Sequence, residues 1–190
     1  RTRTEDTQKR LTTGIQMIDP GLRDRVAIVT GANNPEGIGA ATAKALANAG
    51  AKVLVHYFRL GLNEGGGDVS ETGIHHYHRL QGRTADAVVG SIKEDGGIAE
   101  SWEADLRDGA QIPLLFERAE SAFGPVEILV NNAAHSESDT FLPETKLDDG
   151  AVSAGGEKTF TVNVDSHDKH FAVNSRATAL AVAEFGRRHA

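Results

Sequence analysis

The sequence predicts an α/β fold: a doubly wound, mostly parallel sheet with helices on both faces. Three observations predict it. An apolar run, Arg25-Val26-Ala27-Ile28-Val29, passes through a glycine-rich turn over 30–39 into an alanine-rich helical stretch over 40–49. Apolar runs and helical patterns then alternate along the chain, the mark of repeated β-α units. The expected strand ends also carry the chain's most distinctive residues, and parallel sheets bind ligands at those ends.

Each element has a local reason. Gly31 permits the tight turn after the first strand, Gly37 lets backbone approach a phosphate, and Gly39 lets the following helix pack closely. That helix stops at Gly50. Ala51-Lys52-Val53-Leu54-Val55-His56 reads as the second strand. From 59 to 82 the periodicity disappears, and Gly65-Gly66-Gly67 mark a long irregular insertion. Thr84 is placed to cap a helix running to Gly96, with Ala85, Val88, Val89 and Ile92 on one face. The third strand spans 98–104. Asp108 and Gln111 form a capping-box-like start for a helix bearing Ile112, Leu115, Phe116, Ala119 and Ala122, which Gly124-Pro125 ends. Val126-Glu127-Ile128-Leu129-Val130 is the fourth strand. A second irregular stretch covers 135–164. A closing helix covers 166–188, with Phe171, Asn174, Thr178 and Ala181 at helical spacing on one side.

Length and composition bound the function. The 190 residues suffice for one domain with a sizeable core, placed at 22–190. Residues 1–21 read as a mobile arm or an extraneous leader, with Met17, the sole methionine, as a candidate natural start. The formal charge of −7 argues against a general nucleic-acid surface. The chain has no cysteine, which excludes disulfides and thiolate chemistry and fits a cytoplasmic protein. No apolar run has the length of a membrane span, so no membrane partner is expected.

The motifs converge. Thr30-Gly31 with Gly37 and Gly39, Asp105-Leu106, and Asn131-Asn132-Ala133-Ala134 follow the first, third and fourth strands in that order. In these residues the chain resembles the short-chain dehydrogenase/reductase family, which carries T-G-x-x-x-G-x-G, an Asp, and N-N-A-G at those places. The branch it most resembles is that of the 3-oxoacyl-[acyl-carrier-protein] reductases. The resemblance runs from about Leu22 to the C-terminus. The glycine turn is longer than the family's by about two residues, around Pro35-Glu36, and Ala134 replaces the last glycine.

The resemblance implies a Rossmann-like fold and hydride transfer between a nicotinamide cofactor and a carbonyl or secondary alcohol. It implies cofactor contacts at Gly31, Asn33, Gly37, Ile38 and Gly39, at Tyr57 and Arg59, at Asp105 and Leu106, and at Asn131 and Ala133. Asp105 would meet the adenine edge with Leu106 beside the ring. Asn131 would steady the sheet, and Ala133 would lie against the ribose. NAD-binding folds place an acid at the end of the second strand. Here that place reads His56-Tyr57-Phe58-Arg59. The missing acid and the nearby arginine point to NADP, with NAD as the alternative.

For catalysis the family uses a Tyr-x-x-x-Lys pair, a serine and a helix asparagine. Asn174, in Phe171-Ala172-Val173-Asn174, is the residue that carries over. Asn163 has similar surroundings without a continuing helix. Gly61 follows Tyr57 by four and Gln81 follows Tyr77 by four, so neither tyrosine starts the pair. The chain therefore reads as C-terminally truncated relative to the family and as inactive alone. The competing reading is a catalytically incomplete nucleotide-binding module. The full-length protein is expected to be a homo-oligomer acting on a small carbonyl or alcohol. His75-His76-Tyr77-His78 lies in a polar stretch without a clear carboxylate partner, so no metal is expected.

Overall fold

The computed structural model describes residues 19–59, 73–147, 152 and 158–190. The expected arm up to residue 18, Met17, and Gly65-Gly66-Gly67 lie outside the described residues.

The order is β1 (Val26–Val29), α1 (Ile38–Asn48), β2 (Lys52–Tyr57), α2 (Ile74–Gln81), α3 (Asp86–Glu94), β3 (Ile98–Glu103), α4 (Gln111–Phe123) and β4 (Val126–Val130). Then come β5 (Asp139–Thr140), a 3₁₀ turn (Glu144–Lys146), β6 (Phe160–Thr161) and α5 (Val164–His170). A π-helical stretch (Phe171–Ala177) leads into α6 (Thr178–Arg188). The main sheet is parallel in the order β3-β2-β1-β4. Strand order reverses between β1 and β4, which opens a crevice at their C-terminal ends.

Strand alternation divides the core in two. Ala27 and Val29 of β1, with Val53, Val55 and Tyr57 of β2, face Ala40, Ala43 and Ala47 of α1 and Val88 and Ile92 of α3. Val26, Ile28 and Leu54 face the other way, onto Ile112, Leu115 and Phe116 of α4 and Ala181 of α6. The small alanine face of α1 is what lets that helix lie close on the sheet.

Three expectations are corrected. The stretch 59–82 is not irregular throughout, because α2 occupies Ile74–Gln81. Its His-rich sequence lacks a clear apolar stripe, but Leu80 is buried. The stretch 135–164 holds the short parallel pair β5-β6, and α5 begins directly after Asn163. Asn163 and Ser166 form a reciprocal capping box there, so Asn163 starts the closing helix. The packed side of that helix is Ala172, Ala177 and Ala181, while Phe171 and Asn174 are exposed. Ala172 and Ala177 are five residues apart, and the π-helical stretch brings both inward.

Candidate functional site

The glycine turn is welded to the segment after β4. Thr30 N–H donates to the Val130 carbonyl at 3.1 Å. Thr30 Oγ1 accepts from the backbone N–H groups of Asn132 and Ala133, both at 3.0 Å. Asn132 Nδ2 donates to the carbonyls of Thr30 and Gly31 at 2.9 and 2.8 Å. The residue that steadies the sheet is thus Asn132, not Asn131, which is exposed. Two adjacent asparagines leave this choice open in sequence, because it depends on which one points across to β1. Ala133 packs against Gly31: a Cβ on Gly31 would lie 2.7 Å from Ala133 Cα, and Gly31 has φ 64°.

The longer turn is tied down from both sides. Asn33 is buried and donates from Nδ2 to the carbonyls of Gln81 and Arg83, both at 2.8 Å. Its side chain therefore anchors the turn to the end of α2, which corrects the expectation that it meets cofactor. Glu36 N–H donates to Asn34 Oδ1 at 3.0 Å, and Gly37 N–H donates to the Asn34 carbonyl at 2.9 Å. Asn34 is buried, yet its Nδ2 has no partner. Gly37 is the N-cap of α1, which has no side-chain cap. Ile38 follows it and is exposed.

His56 joins the turn to β3. It is 1 % exposed. Its Nε2 lies 3.0 Å from the Ala104 carbonyl, and its Nδ1 accepts from Gly31 N–H at 3.4 Å. This pair of contacts requires a neutral ring with its proton on Nε2. Burial pushes the His56 pKa down to about 4, against the opposing pull of the Ala104 carbonyl and Asp105. The unfolded chain takes up this proton near pH 6.5, so stability should fall as pH drops from there toward about 4. The loss approaches about 3 kcal/mol at about 1.4 kcal/mol per pH unit. Urea midpoints across that range should be steeper with pH in the parent than in His56→Asn. Coincident slopes would rule out His56 as the group responsible.

The other strand ends carry ion pairs. Arg59 Nε donates to both carboxylate oxygens of Glu103, at 2.9 and 3.1 Å, and its NH2 lies 2.9 Å from Oε2. Asp105 is held likewise by Arg107, through the backbone N–H at 2.9 Å and through Nε and NH2. The Arg107 bonds lower the Asp105 pKa. Arg107 also stacks over Phe58, 5.5 Å from the ring centre. Two side chains expected at a ligand point elsewhere. Tyr57 and Leu106 are both buried, in opposite halves of the core, which leaves only their backbones for the crevice. Period-2 alternation explains Tyr57, since His56 takes the other face. Leu106 turns inward beside Ile112 and Phe116.

Asn174 sits in the π-helical stretch and clamps the chain after β4. Its Oδ1 accepts from His135 N–H at 2.7 Å, and its Nδ2 donates to the His135 carbonyl at 3.0 Å. Its side-chain amide is thus a brace for the chain at His135. His135 Nε2 is 3.1 Å from Glu137 Oε1, and Lys169 Nζ is 3.2 Å from the same oxygen. Among the described residues no three His, Asp or Glu side chains converge as a metal site requires. No described helix is long and apolar enough to cross a membrane.

The arrangement has counterparts among known proteins. The family model for short chain dehydrogenase matches residues 69–185. The chain belongs to the short-chain dehydrogenase family. Short chain dehydrogenase claC of Passalora fulva is 32% identical over 166 residues, which cover 87% of this chain and 47% of that protein. A 3-oxoacyl-[acyl-carrier-protein] reductase of Synechocystis is 36% identical over 128 residues, covering 67% of this chain and 42% of the relative. A short chain dehydrogenase of Burkholderia cenocepacia, solved in complex with NADP, superimposes with a TM-score of 0.60 at 28% identity, covering 87% of this chain and 51% of that one. The chain spans less than half the length of these curated relatives.

Proposed function

We propose that this chain forms the cofactor-binding part of an oxidoreductase that prefers NADP and acts on a carbonyl or secondary alcohol. The observation that carries this reading is the uncapped start of α1 above the welded glycine turn. The first-turn N–H groups and the helix dipole there favour an anion such as a pyrophosphate. The residues fit such a group. No acidic side chain lies in the first turn of α1, and the buried Asn34 amide beside it has an unused donor. The NADP-bound Burkholderia relative supports the same reading.

When bound, the nicotinamide ring would exchange a hydride with the substrate carbon. The work of this chain is to hold and orient. Ile38 and Gly39 offer first-turn N–H groups to the phosphates, Gly31 and Gly37, whose own N–H groups are bonded to His56 and Asn34, let the backbone come close to them, and Arg59 offers a guanidinium to a ribose phosphate. Asp105, Leu106, Asn131 and Ala133 border the adenosine side, the middle two through their backbone or exposed amide. Asn174 fixes the loop at His135, beyond β4. Residues 1–190 hold no Tyr-x-x-x-Lys, so we read them as insufficient for turnover by themselves. The Synechocystis relative makes a 3-oxoacyl thioester the first substrate class to test.

Titration with NADPH and NADH tests the preference. Arg59→Ala is expected to weaken NADPH by about tenfold or more, since a guanidinium–phosphate pair is a strong charge-assisted contact, and to leave NADH unchanged. Equal parent affinities for the two, or an unaltered NADPH affinity in the variant, would overturn the NADP assignment.

A further inference from the structure

The acid that is missing from the end of β2 has a counterpart on the neighbouring strand. β2 and β3 run in register, with Tyr57 beside Glu103 as the last pair. Two residues beyond Tyr57, Arg59 folds back so that its backbone N–H donates to Glu103 Oε1 at 3.2 Å. Its guanidinium grips the same carboxylate through the Nε and NH2 edge. We propose that Glu103 is a specificity-determining residue, a built-in counter-ligand for Arg59 that narrows the advantage of a 2′-phosphorylated cofactor over an unphosphorylated one. The inference rests on the cofactor reading above.

Two effects compete. Glu103 orients Arg59, which favours phosphate capture. It also places a negative charge where the phosphate must come. The Arg59 side chain is 52% exposed, so its orientation is loosely held and worth little. The repulsion is screened by the same solvent, but Glu103 is the less exposed partner at 29%, and a phosphate that reaches Arg59 must meet its charge with no ordering gain in return. A phosphate dianion either displaces the carboxylate or shares the guanidinium through the NH1–NH2 edge, and in both cases two anions compete for one cation. Asp105, two residues on, is already engaged by Arg107, so its charge is countered within its own pair. Repulsion should therefore outweigh orientation.

Glu103→Gln keeps the shape of the side chain and removes the charge. Glu103→Thr removes the charge with a residue that suits a strand. Calorimetric titration of the protein with adenosine 2′,5′-bisphosphate and with 5′-AMP separates the phosphate from the rest of the nucleotide, and thermal melts verify that each variant is folded. Both variants should bind the bisphosphate about tenfold more tightly, with 5′-AMP changed by less than about twofold. A bisphosphate affinity that stays the same or weakens in both variants would overturn the role of Glu103. So would an equal gain for the two ligands. A parent protein that binds neither nucleotide would overturn the cofactor reading itself, and this inference with it. A parent that binds both, with the ratio unmoved in the variants, would overturn Glu103 alone.

Discussion

Gly39→Ala is expected to loosen the whole fold and to weaken NADPH binding by at least about tenfold. An added Cβ would stand 2.5 Å from Asn132 Nδ2, 2.6 Å from the Gly31 carbonyl oxygen and 2.9 Å from Ala32 Cα. Two of these neighbours are backbone, and the third is a side chain bonded to the Thr30 and Gly31 carbonyls. None can yield without moving the turn. Overpacking of this kind costs about 1–3 kcal/mol. The better helix propensity of alanine returns at most about 1 kcal/mol. The melting temperature should drop by about 5 °C. Gly90→Ala gives the opposite sign. Gly90 lies within α3 with nothing within 4 Å of its would-be Cβ, so alanine there should raise stability by about 0.5–1 kcal/mol. Melts of the two variants beside the parent test the contrast. If Gly39→Ala melts and binds like the parent, the close approach of α1 to the Asn132 segment is wrong.

The second large effect concerns turnover. Purified polypeptide 1–190 should bind NADPH yet fail to oxidise it with ketones or 3-oxoacyl thioesters. Carbonyl reduction needs a proton donor within hydrogen-bond reach of the substrate oxygen, and loss of an acid–base catalyst costs about 10²–10⁴ in rate. Asn174 has no ionisable proton near neutral pH, and its amide is spent on the His135 backbone. Tyr57 is buried in the core, where desolvation and then Glu103 raise its pKa, which disqualifies it as a ready donor. Tyr77 lies on α2. A rate near an ordinary enzyme's ~10 per second would show that another residue donates the proton. His135 and Lys169, which both lie within 3.2 Å of Glu137 Oε1, would be the first to examine.

The parallel sheet and its order of elements are legible because β1, β2 and β4 are short, mainly apolar runs closed by a turn or a polar cluster, because β3 is bracketed by Gly96-Gly97 and Asp105, and because each main helix repeats its apolar residues at the proper spacing. The site was legible at backbone level, through Gly31, Gly37 and Gly39. Side-chain partners were not. Whether Asn131 or Asn132 reaches across to β1 depends on the local twist after Val130. Asn33 bonds to carbonyls some 50 residues away, which local pattern does not encode. Glu103 escapes the sequence pattern because the acid of NAD-binding folds belongs to the end of β2 itself. Strand register places the carboxylate of β3 beside the same strand end. For α2 the sequence misled in the other direction: its three histidines blur the apolar stripe that would have announced a helix.

The closing helix is out of phase with itself. At 3.6 residues per turn, residues five apart on an α-helix point about 140° away from each other. Ala172 and Ala177 are nonetheless both buried, because the wide turn between them takes in one surplus residue. An insertion that elsewhere would bulge out as a loop is absorbed inside a rod, leaving no break in its outline. The half before the wide turn and the half after it are therefore separately indexed. One half is set by the capping box at Asn163 and the other by the α4 contacts of Ala177 and Ala181, with the Asn174 brace at the joint where the two indices meet.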